Sequence, residues 1–257
     1  MTPTAYLDRI GAGPAGPADL ARLAELHQRH LWTVPFENLD IHRGVPIVLD
    51  QARILDKVVT ARRGGFCYEL NTAFAWLLRA LGYQVTVLSA EVASPDGGYG
   101  IPFDHMLLRV DIADSAYLAD VGFGDSFRRP LALVSDQVVD EDEARFRLVR
   151  QADTWFLERA GPDPEVFEPQ YRFTLAPRRL EEFTDGCQYH QTSPDSHFTY
   201  KLVCTRATPN GRLTLRADRL ITTERGSRTE APVANADTWR RVLREHFDIA
   251  LDTLPRM

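Results

Sequence analysis

The most constraining feature of this sequence is an apolar repeat that directly follows a pair of glycines. Apolar side chains recur at spacings of three and four, which is the spacing of one face of an α-helix. The Gly64-Gly65 pair comes just before the repeat and Gly82 just after it, and glycine is a common helix terminator. The pattern predicts a helix over residues 66–81. Its apolar positions are Cys67, Leu70, Phe74, Leu77 or Leu78, and Leu81.

The periodicity changes from helical to alternating beyond this helix. Residues 83–92 and 105–112 alternate between apolar and polar side chains, as half-buried strands do. Other predicted elements are a helix ending at 34–35, a short helix over 50–59, strands over 117–124, 146–149 and 154–159, a helical turn over 180–183, a hairpin of 197–208 with 211–224, and a helix over 238–247. The chain of 257 residues is long enough for several subdomains. The order predicts an α+β protein with a helical part (1–85), a β part (86–185) and a mixed part (186–257).

Charge and hydropathy exclude two broad classes of partner. The net charge is −6, whereas a general nucleic-acid binder needs a basic excess to neutralise phosphates. No apolar run reaches the roughly 18 residues that a membrane-spanning helix needs. The N-terminal residues lack the basic and then apolar pattern of a signal peptide. We therefore expect a cytoplasmic protein with no nucleic-acid or membrane partner; the sequence leaves the oligomeric state open.

The cysteines and the closest pair of histidines give little support to disulfides or metal sites. The chain has three cysteines and no CxxC motif, so a disulfide framework or a structural zinc site is not expected. Cys187 and Cys204 have no histidine paired with them in a recognisable pattern and are interpreted as structural thiols. His27 and His30 lie three apart on a predicted helix, but no third ligand is near them in sequence. We interpret them as surface or packing histidines and expect no metal.

Cys67 is the first candidate for chemistry. It is predicted to lie in the first turn of its helix, where free N–H groups and the positive end of the helix dipole stabilise an anion. That environment lowers a thiol pKa and supplies the reactive thiolate. The glycines before it would let a substrate approach the sulfur. A small buried hydrophobe in a helix core remains the alternative interpretation of this stretch.

His105 and Asp120 extend the pattern to a triad. His105 lies where a Gly/Pro-rich loop meets a strand, which suits a general base. Asp120 is predicted near the end of the next strand. If the two strands are neighbours, Asp120 can reach the ring of His105 and fix its tautomer. A Cys–His–Asp arrangement would then hold a thiolate–imidazolium pair before substrate arrives.

Five sequence blocks together resemble the arylamine N-acetyltransferases. They are RGGFCYELN around Cys67, FDHMLLRV around His105, YLADVGFG around Asp120, HQRHLWTVPFENLDI (27–41) and QTSPDSHFT (191–199). The resemblance implies a helical bundle, a central β-barrel and a C-terminal α/β lid, with a cysteine-proteinase-like core. It also implies a ping-pong reaction that moves an acetyl group from acetyl-coenzyme A (acetyl-CoA) to an arylamine or arylhydrazine nitrogen. Cys67 would be the nucleophile, His105 the base and Asp120 its orienting partner.

The resemblance assigns further residues. Glu37 and Arg63 match a structural ion pair that would hold the nucleophile turn. Phe36, Phe123 and Phe198 match positions that line the acceptor pocket, where flat apolar walls suit an aromatic amine; core packing is the alternative.

Four residues in two loops are candidates for contact with coenzyme A. Gly98, Tyr99, Gly100 and Gly124 would let backbone approach the pantetheine arm or the pyrophosphate, with ordinary turns as the alternative. Acetyl-CoA would be a co-substrate, and no permanently bound cofactor is expected.

Rival functions remain open at this point. Papain-like proteases and transglutaminases share the chain order Cys, His, then Asp or Asn, but the papain pattern around the cysteine is absent. Macrolactam-forming amide synthases resemble the same family and share its triad, but use an acyl chain on a carrier protein. A catalytically silent binding protein is the alternative from another class. The intact Cys67, His105 and Asp120 argue against it.

Overall fold

Seven α-helices and thirteen β-strands are seen in the part of the chain that the computed structural model describes, residues 1–141, 144–161 and 163–256. The helices are α1 (Pro3–Ile10), α2 (Leu20–Thr33), α3 (Leu39–Arg43), α4 (Gln51–Leu55), α5 (Cys67–Ala80), α6 (Thr184–Thr192) and α7 (Ala236–Phe247). A π-helical turn spans Asp56–Thr60, and 3₁₀ turns span Leu180–Phe183 and His197–Thr199. None of the described helices is long and apolar enough to cross a membrane.

The N-terminal helices pack around α5, the helix that the apolar repeat predicts. Leu70, Phe74 and Leu77 of α5 are fully buried, in one cluster with side chains of α1, α2 and α4. Asp19 caps the start of α2, and its side chain accepts a hydrogen bond from the N–H of Arg22 (2.8 Å). This cap satisfies an N–H group that the helix itself leaves unpaired.

Eight strands form one antiparallel sheet in the order β5-β4-β3-β2-β9-β8-β7-β6, which curls into a nearly closed barrel. They are β2 (Gln84–Val92), β3 (His105–Ile112), β4 (Ser115–Ala119), β5 (Leu131–Ala132), β6 (Val138–Glu141), β7 (Ala144–Gln151), β8 (Thr154–Ala160) and β9 (Phe167–Thr174). Successive side chains of a strand point to opposite faces. On β3, Leu107 therefore enters the barrel core, whereas Leu108 packs on the helical cluster. The barrel wall is thus shared with α5.

A second sheet of five antiparallel strands has the order β1-β10-β11-β12-β13. Its strands are β1 (Phe36–Glu37), β10 (Cys204–Thr208), β11 (Gly211–Leu215), β12 (Arg219–Glu224) and β13 (Ser227–Pro232). Helix α7 covers it with Trp239, Leu243 and Phe247. Because β1 comes from the N-terminal part of the chain, this sheet ties both ends of the sequence together. The division at residues 85 and 185 stays a prediction.

The fold class predicted for the chain is confirmed, but several elements differ from the sequence predictions. The predicted helix over 50–59 is α4 followed by the π-helical turn. The predicted strand 117–124 ends at Ala119, because the Asp120 side chain accepts the N–H of Gly122 (2.9 Å) and turns the chain. The predicted C-terminal hairpin is also shorter. Its first strand begins at Cys204, and a turn over residues 216–218 divides the second strand into β11 and β12.

We predict that Phe74→Ala lowers the free energy of unfolding by about 3–5 kcal/mol, because a fully buried aromatic ring leaves a cavity in a packed core. Urea denaturation measures this change. The matched control is Val134→Ala, since Val134 is 53% exposed. Equal stabilities for the two variants would contradict the prediction.

Candidate active site

Cys67 is the first residue of α5, and the turn before it lies against β1. The N–H of Glu37 donates to the carbonyl oxygen of Gly65 (2.9 Å). A Cβ at Gly64 would overlap the carbonyl oxygen of Pro35, so only glycine lets the two segments approach this closely. The prediction that Gly64 serves substrate access is therefore replaced by a packing role. The turn gives Cys67 a fixed position at the helix start.

Five charged side chains hold this turn in place, four of them buried and Lys57 partly exposed. Arg63 pairs with Glu37 (2.7 Å), as expected, and also with Asp40 (3.0 Å). Lys57 joins Asp40 (2.8 Å) to Glu69 (2.7 Å). Burial alone would raise the pKa of Asp40, but Lys57 and Arg63 hold it at about 2. These five residues, called the buried charge network below, tie β1, α3, the π-helical turn and the start of α5 together.

His105 and Asp120 form a buried, hydrogen-bonded pair. Nε2 of His105 lies 2.7 Å from Oδ2 of Asp120. Asn71 Nδ2 (3.0 Å) and the N–H of Gly122 (2.9 Å) donate to the other carboxylate oxygen, and the Tyr171 hydroxyl donates to Oδ2 (3.2 Å). Burial acts to raise the pKa of Asp120, but His105 and these donors lower it overall. An ionised Asp120 fixes the proton of His105 on Nε2 and leaves Nδ1 as the basic atom.

Cys67 and His105 line one cavity of about 640 Å³. Its remaining lining comes from β1, the loops around Ser94 and Gly122, and the segment from Tyr189 to Phe198. The volume suits a small organic molecule. A molecule bound in this cavity could therefore contact both the thiol and the oriented imidazole.

The environment of the thiol differs from the sequence prediction. The helix start is expected to lower the pKa of Cys67, but burial raises it well above the usual value. A desolvated thiolate loses its hydration, and the carboxylates of Asp104 and Asp120 add repulsion; a backbone hydrogen bond from Met106 opposes these effects only in part. The expected low pKa is thus wrong for the thiol alone. A thiolate here needs a cation beside it, and the imidazolium of His105 is the group that could supply one.

The three phenylalanines predicted for the acceptor pocket line this cavity. The rings of Phe36 and Phe198 have centroids 6.0 Å apart, and Phe123 packs edge-on to His105 at 5.2 Å. They are partly exposed rather than core residues. The cavity therefore has an aromatic wall next to the thiol and the imidazole.

The residues predicted to contact coenzyme A divide into two groups. Tyr99 and Gly100 line the cavity, and a Cβ at Gly100 would overlap the Asp104 carboxylate. Gly98 lies in an exposed turn, where its N–H donates to Asp96 (3.1 Å). Gly124, at a φ of 92°, packs on the ring of Phe36. The structure thus brings two of these four residues to the cavity wall.

Sequence reasoning missed several residues that hold Asp120. Asn71 lies one helical turn after Cys67, and this i, i+4 spacing was a usable signal. Tyr171 lies on β9, a strand that the sequence analysis does not predict. Among the described residues, no group of three or more His, Cys, Asp and Glu side chains is placed to hold a metal ion.

His27 is one of the missed residues and is fully buried. Its Nε2 accepts the backbone N–H of Asp120 (3.1 Å), and its Nδ1 donates to the carbonyl oxygen of Arg128 (3.0 Å). The ring stacks on Phe127. Burial lowers the pKa of His27 to about 4. The neutral ring of His27 therefore holds the backbone of Asp120.

Comparisons with known proteins agree on one family. Residues 19–255 match the family model described as N-acetyltransferase. A pineal gland arylamine N-acetyltransferase of Gallus gallus, isozyme NAT-3, is 36% identical over 96% of this chain and 93% of its own length. The structure of the arylamine N-acetyltransferase from Salmonella typhimurium superposes with a TM-score of 0.92 at 30% identity, covering 98% of this chain and 92% of that one. The Mycobacterium marinum arylamine N-acetyltransferase in complex with CoA has a TM-score of 0.87 at 31% identity, covering 96% and 92%.

We predict that the stability of the protein falls by about 2 kcal/mol more between pH 7 and pH 5 than that of a His27→Gln variant. In the unfolded chain His27 binds a proton near its ordinary pKa of 6.5, whereas the folded protein resists protonation down to about 4. Stability from the neutral ring is thus present above 6.5 and lost as the pH falls towards 4. Urea denaturation at both pH values measures the difference, with Gln28→Ala as the neighbouring control. An equal fall in all three proteins would contradict it.

Proposed function

This chain belongs to the arylamine N-acetyltransferase family and is an acyltransferase, and from that premise we propose that it transfers acetyl groups from acetyl-CoA to arylamines or arylhydrazines through an acetyl-Cys67 intermediate. The observation that carries the proposal is the shared cavity. Cys67 and His105 line it together, and Asp120 holds the far nitrogen of His105. The M. marinum relative in complex with CoA supports CoA as the carrier of the acetyl group.

The first half-reaction forms the acetyl-enzyme. His105 accepts the thiol proton on Nδ1, and the Cys67 thiolate attacks the carbonyl carbon of acetyl-CoA. The new S–C bond forms, the bond from that carbon to the CoA sulfur breaks, and the CoA thiolate leaves with the proton from His105. One thioester replaces another, so the step has little free-energy cost.

The second half-reaction returns the thiol. An arylamine is largely unprotonated at neutral pH, so its nitrogen attacks the acetyl-Cys67 carbonyl carbon. The N–C bond forms, the S–C bond breaks, and the nitrogen loses a proton to His105, which then protonates the Cys67 thiolate. Since Asp120 is ionised, it stabilises the imidazolium that forms in each half. Phe36, Phe123 and Phe198 would shield the thioester from water and face the aromatic ring.

The remaining roles belong to the same proposal. Tyr99 and Gly100 would contact the pantetheine arm from the cavity wall, with Gly98 and Gly124 in the adjoining loops. A cytoplasmic location stays an expectation from the sequence, and a role in the metabolism of foreign aromatic amines rests on the resemblance to the family. The tests below depend on neither.

We predict that incubation with acetyl-CoA in the absence of acceptor adds one acetyl group, on Cys67. Mass spectrometry of the intact protein and of its peptides locates the group, and Cys67→Ala should take up none. Acetylation at Cys187 or Cys204 would reject the assigned nucleophile. A protein that stays unmodified would favour the carrier-dependent amide synthase.

We predict that Asp120→Asn lowers kcat/KM for arylamine acetylation by about 100-fold or more. The amide carries no charge to stabilise imidazolium, and its NH₂ group can hold the proton of His105 on the wrong nitrogen. Steady-state kinetics measure the change. Asp114→Asn, in the exposed turn between β3 and β4, is the control and should retain wild-type activity. Near wild-type activity of Asp120→Asn would remove Asp120 from its role.

A further inference from the structure

A second histidine–carboxylate pair lies in the same cavity as the triad. Nε2 of His190 lies 2.8 Å from Oδ1 of Asp104, the residue directly before His105. Nδ1 of His190 lies 2.9 Å from the hydroxyl of Ser196. The side chains of His190 and Asp104 are only 5% and 11% exposed. All three residues line the cavity, yet the two half-reactions described above do not use them.

The hydrogen bonds among Asp104, His190 and Ser196 connect two separate walls of the cavity. Asp104 belongs to the barrel, where its second oxygen accepts the N–H of Val92 at the end of β2 (3.1 Å). His190 lies on α6. Ser196 begins the 3₁₀ turn that carries Phe198, and its hydroxyl accepts the N–H of Phe198 (3.4 Å). The hydrogen bonds therefore run from the barrel, through α6, to the aromatic wall.

The position of Phe198 depends on this connection. Its ring packs edge-on to the His190 ring, with centroids 5.2 Å apart. Because both nitrogens of His190 are engaged, that ring has a fixed orientation. Phe36 and Phe66 contact Phe198 from the other directions, each with a centroid distance of 6.0 Å. Phe198 is thus held in one orientation by packing on one side and by the hydrogen-bonded histidine on the other.

Ser196 has a hydrogen-bonded histidine beside it, as a nucleophilic serine does, but it is buried and its hydroxyl is fully engaged. It is 2% exposed, and its oxygen accepts the N–H of Phe198 while the hydroxyl proton has His190 Nδ1 as its acceptor. With Asp104 accepting from Nε2, each donor in the chain has one acceptor. These engagements fit a structural relay rather than a group that attacks a substrate.

We propose that Asp104, His190 and Ser196 are positioning residues that hold Phe198 against the aromatic acceptor and so set acceptor affinity, with little effect on the formation of acetyl-Cys67. The inference rests on the proposed function, because it assigns the acceptor to this wall. The acetyl group is small and reacts at Cys67 itself, whereas the flat ring of the acceptor needs the wall. Loss of the relay should therefore weaken acceptor binding in the second half-reaction and leave the first half-reaction nearly unchanged.

The test uses two variants of the full chain and one control. His190→Phe keeps an aromatic ring beside Phe198 but removes both hydrogen bonds, and Ser196→Ala removes only the link to the turn. Gln188→Ala lies on the exposed side of α6 and is the control. Rapid-quench mass spectrometry measures the rate of acetyl-Cys67 formation, and steady-state kinetics give KM for a simple arylamine such as aniline.

We expect KM for the arylamine to rise about tenfold in both variants, with the rate of acetyl-Cys67 formation within about threefold of wild type. The double variant should lose little more than His190→Phe, since both changes break one relay. Equal losses in both half-reactions, or an unchanged KM, would overturn the proposal. Acetylation of Ser196 found by peptide mapping would also overturn it, because Ser196 would then be a nucleophile.

Two further readouts keep the result decisive. If His190→Phe does not fold, Ser196→Ala alone decides the outcome. If wild-type protein forms no acetyl-Cys67, the proposed function fails separately. Equilibrium binding of the arylamine to the unmodified proteins, measured by calorimetry, then tests the positioning role without chemistry. Binding weakened about tenfold in the variants supports it, and unchanged binding overturns it.

Discussion

The buried charge network formed by Glu37, Asp40, Lys57, Arg63 and Glu69 is the constraint on which the site depends. Its members come from β1, α3, the π-helical turn, the turn before Cys67 and α5. Each charge has at least one partner of opposite sign within 3.0 Å. Removing one partner from such a network leaves an uncompensated buried charge, which typically costs about 3–5 kcal/mol. The turn before Cys67 therefore cannot shift without breaking several strong interactions together.

Helix α5 transmits this fixed position to the side chains of the proposed triad. Cys67 stands at its first residue, and Asn71, one turn later, reaches both the carbonyl oxygen of Met106 (2.6 Å) and the carboxylate of Asp120 (3.0 Å). Met106 follows His105 on β3. One helix thus sets the nucleophile directly and holds the strand of the base and the loop of the aspartate through a single amide.

The sequence predicts the parts of this arrangement that have a local period. Helix α5 and strands β2 and β3 follow from their spacing of apolar residues. Cys67 is the first residue of α5, and His105 is the first residue of β3. Strand β13 has no such signal, because every one of its residues is exposed and only its pairing with β12 makes it a strand. Contacts such as that of His27 with the backbone of Asp120 join residues 93 apart. Their partners depend on tertiary packing, which no local pattern encodes.

The Cys67 thiol shows how a correct local argument can predict a pKa shift in the wrong direction. The helix start does favour an anion at Cys67. Tertiary burial, however, removes the water that would solvate that anion, and this loss of hydration outweighs the effect of the helix start. The same burial makes the ion pair with His105 more favourable, because opposite charges attract more strongly where the dielectric is low. In the proposed mechanism, the buried thiol therefore stays unreactive until it passes its proton to the imidazole that Asp120 holds. In that mechanism, reactivity depends on the triad as a unit rather than on the cysteine alone.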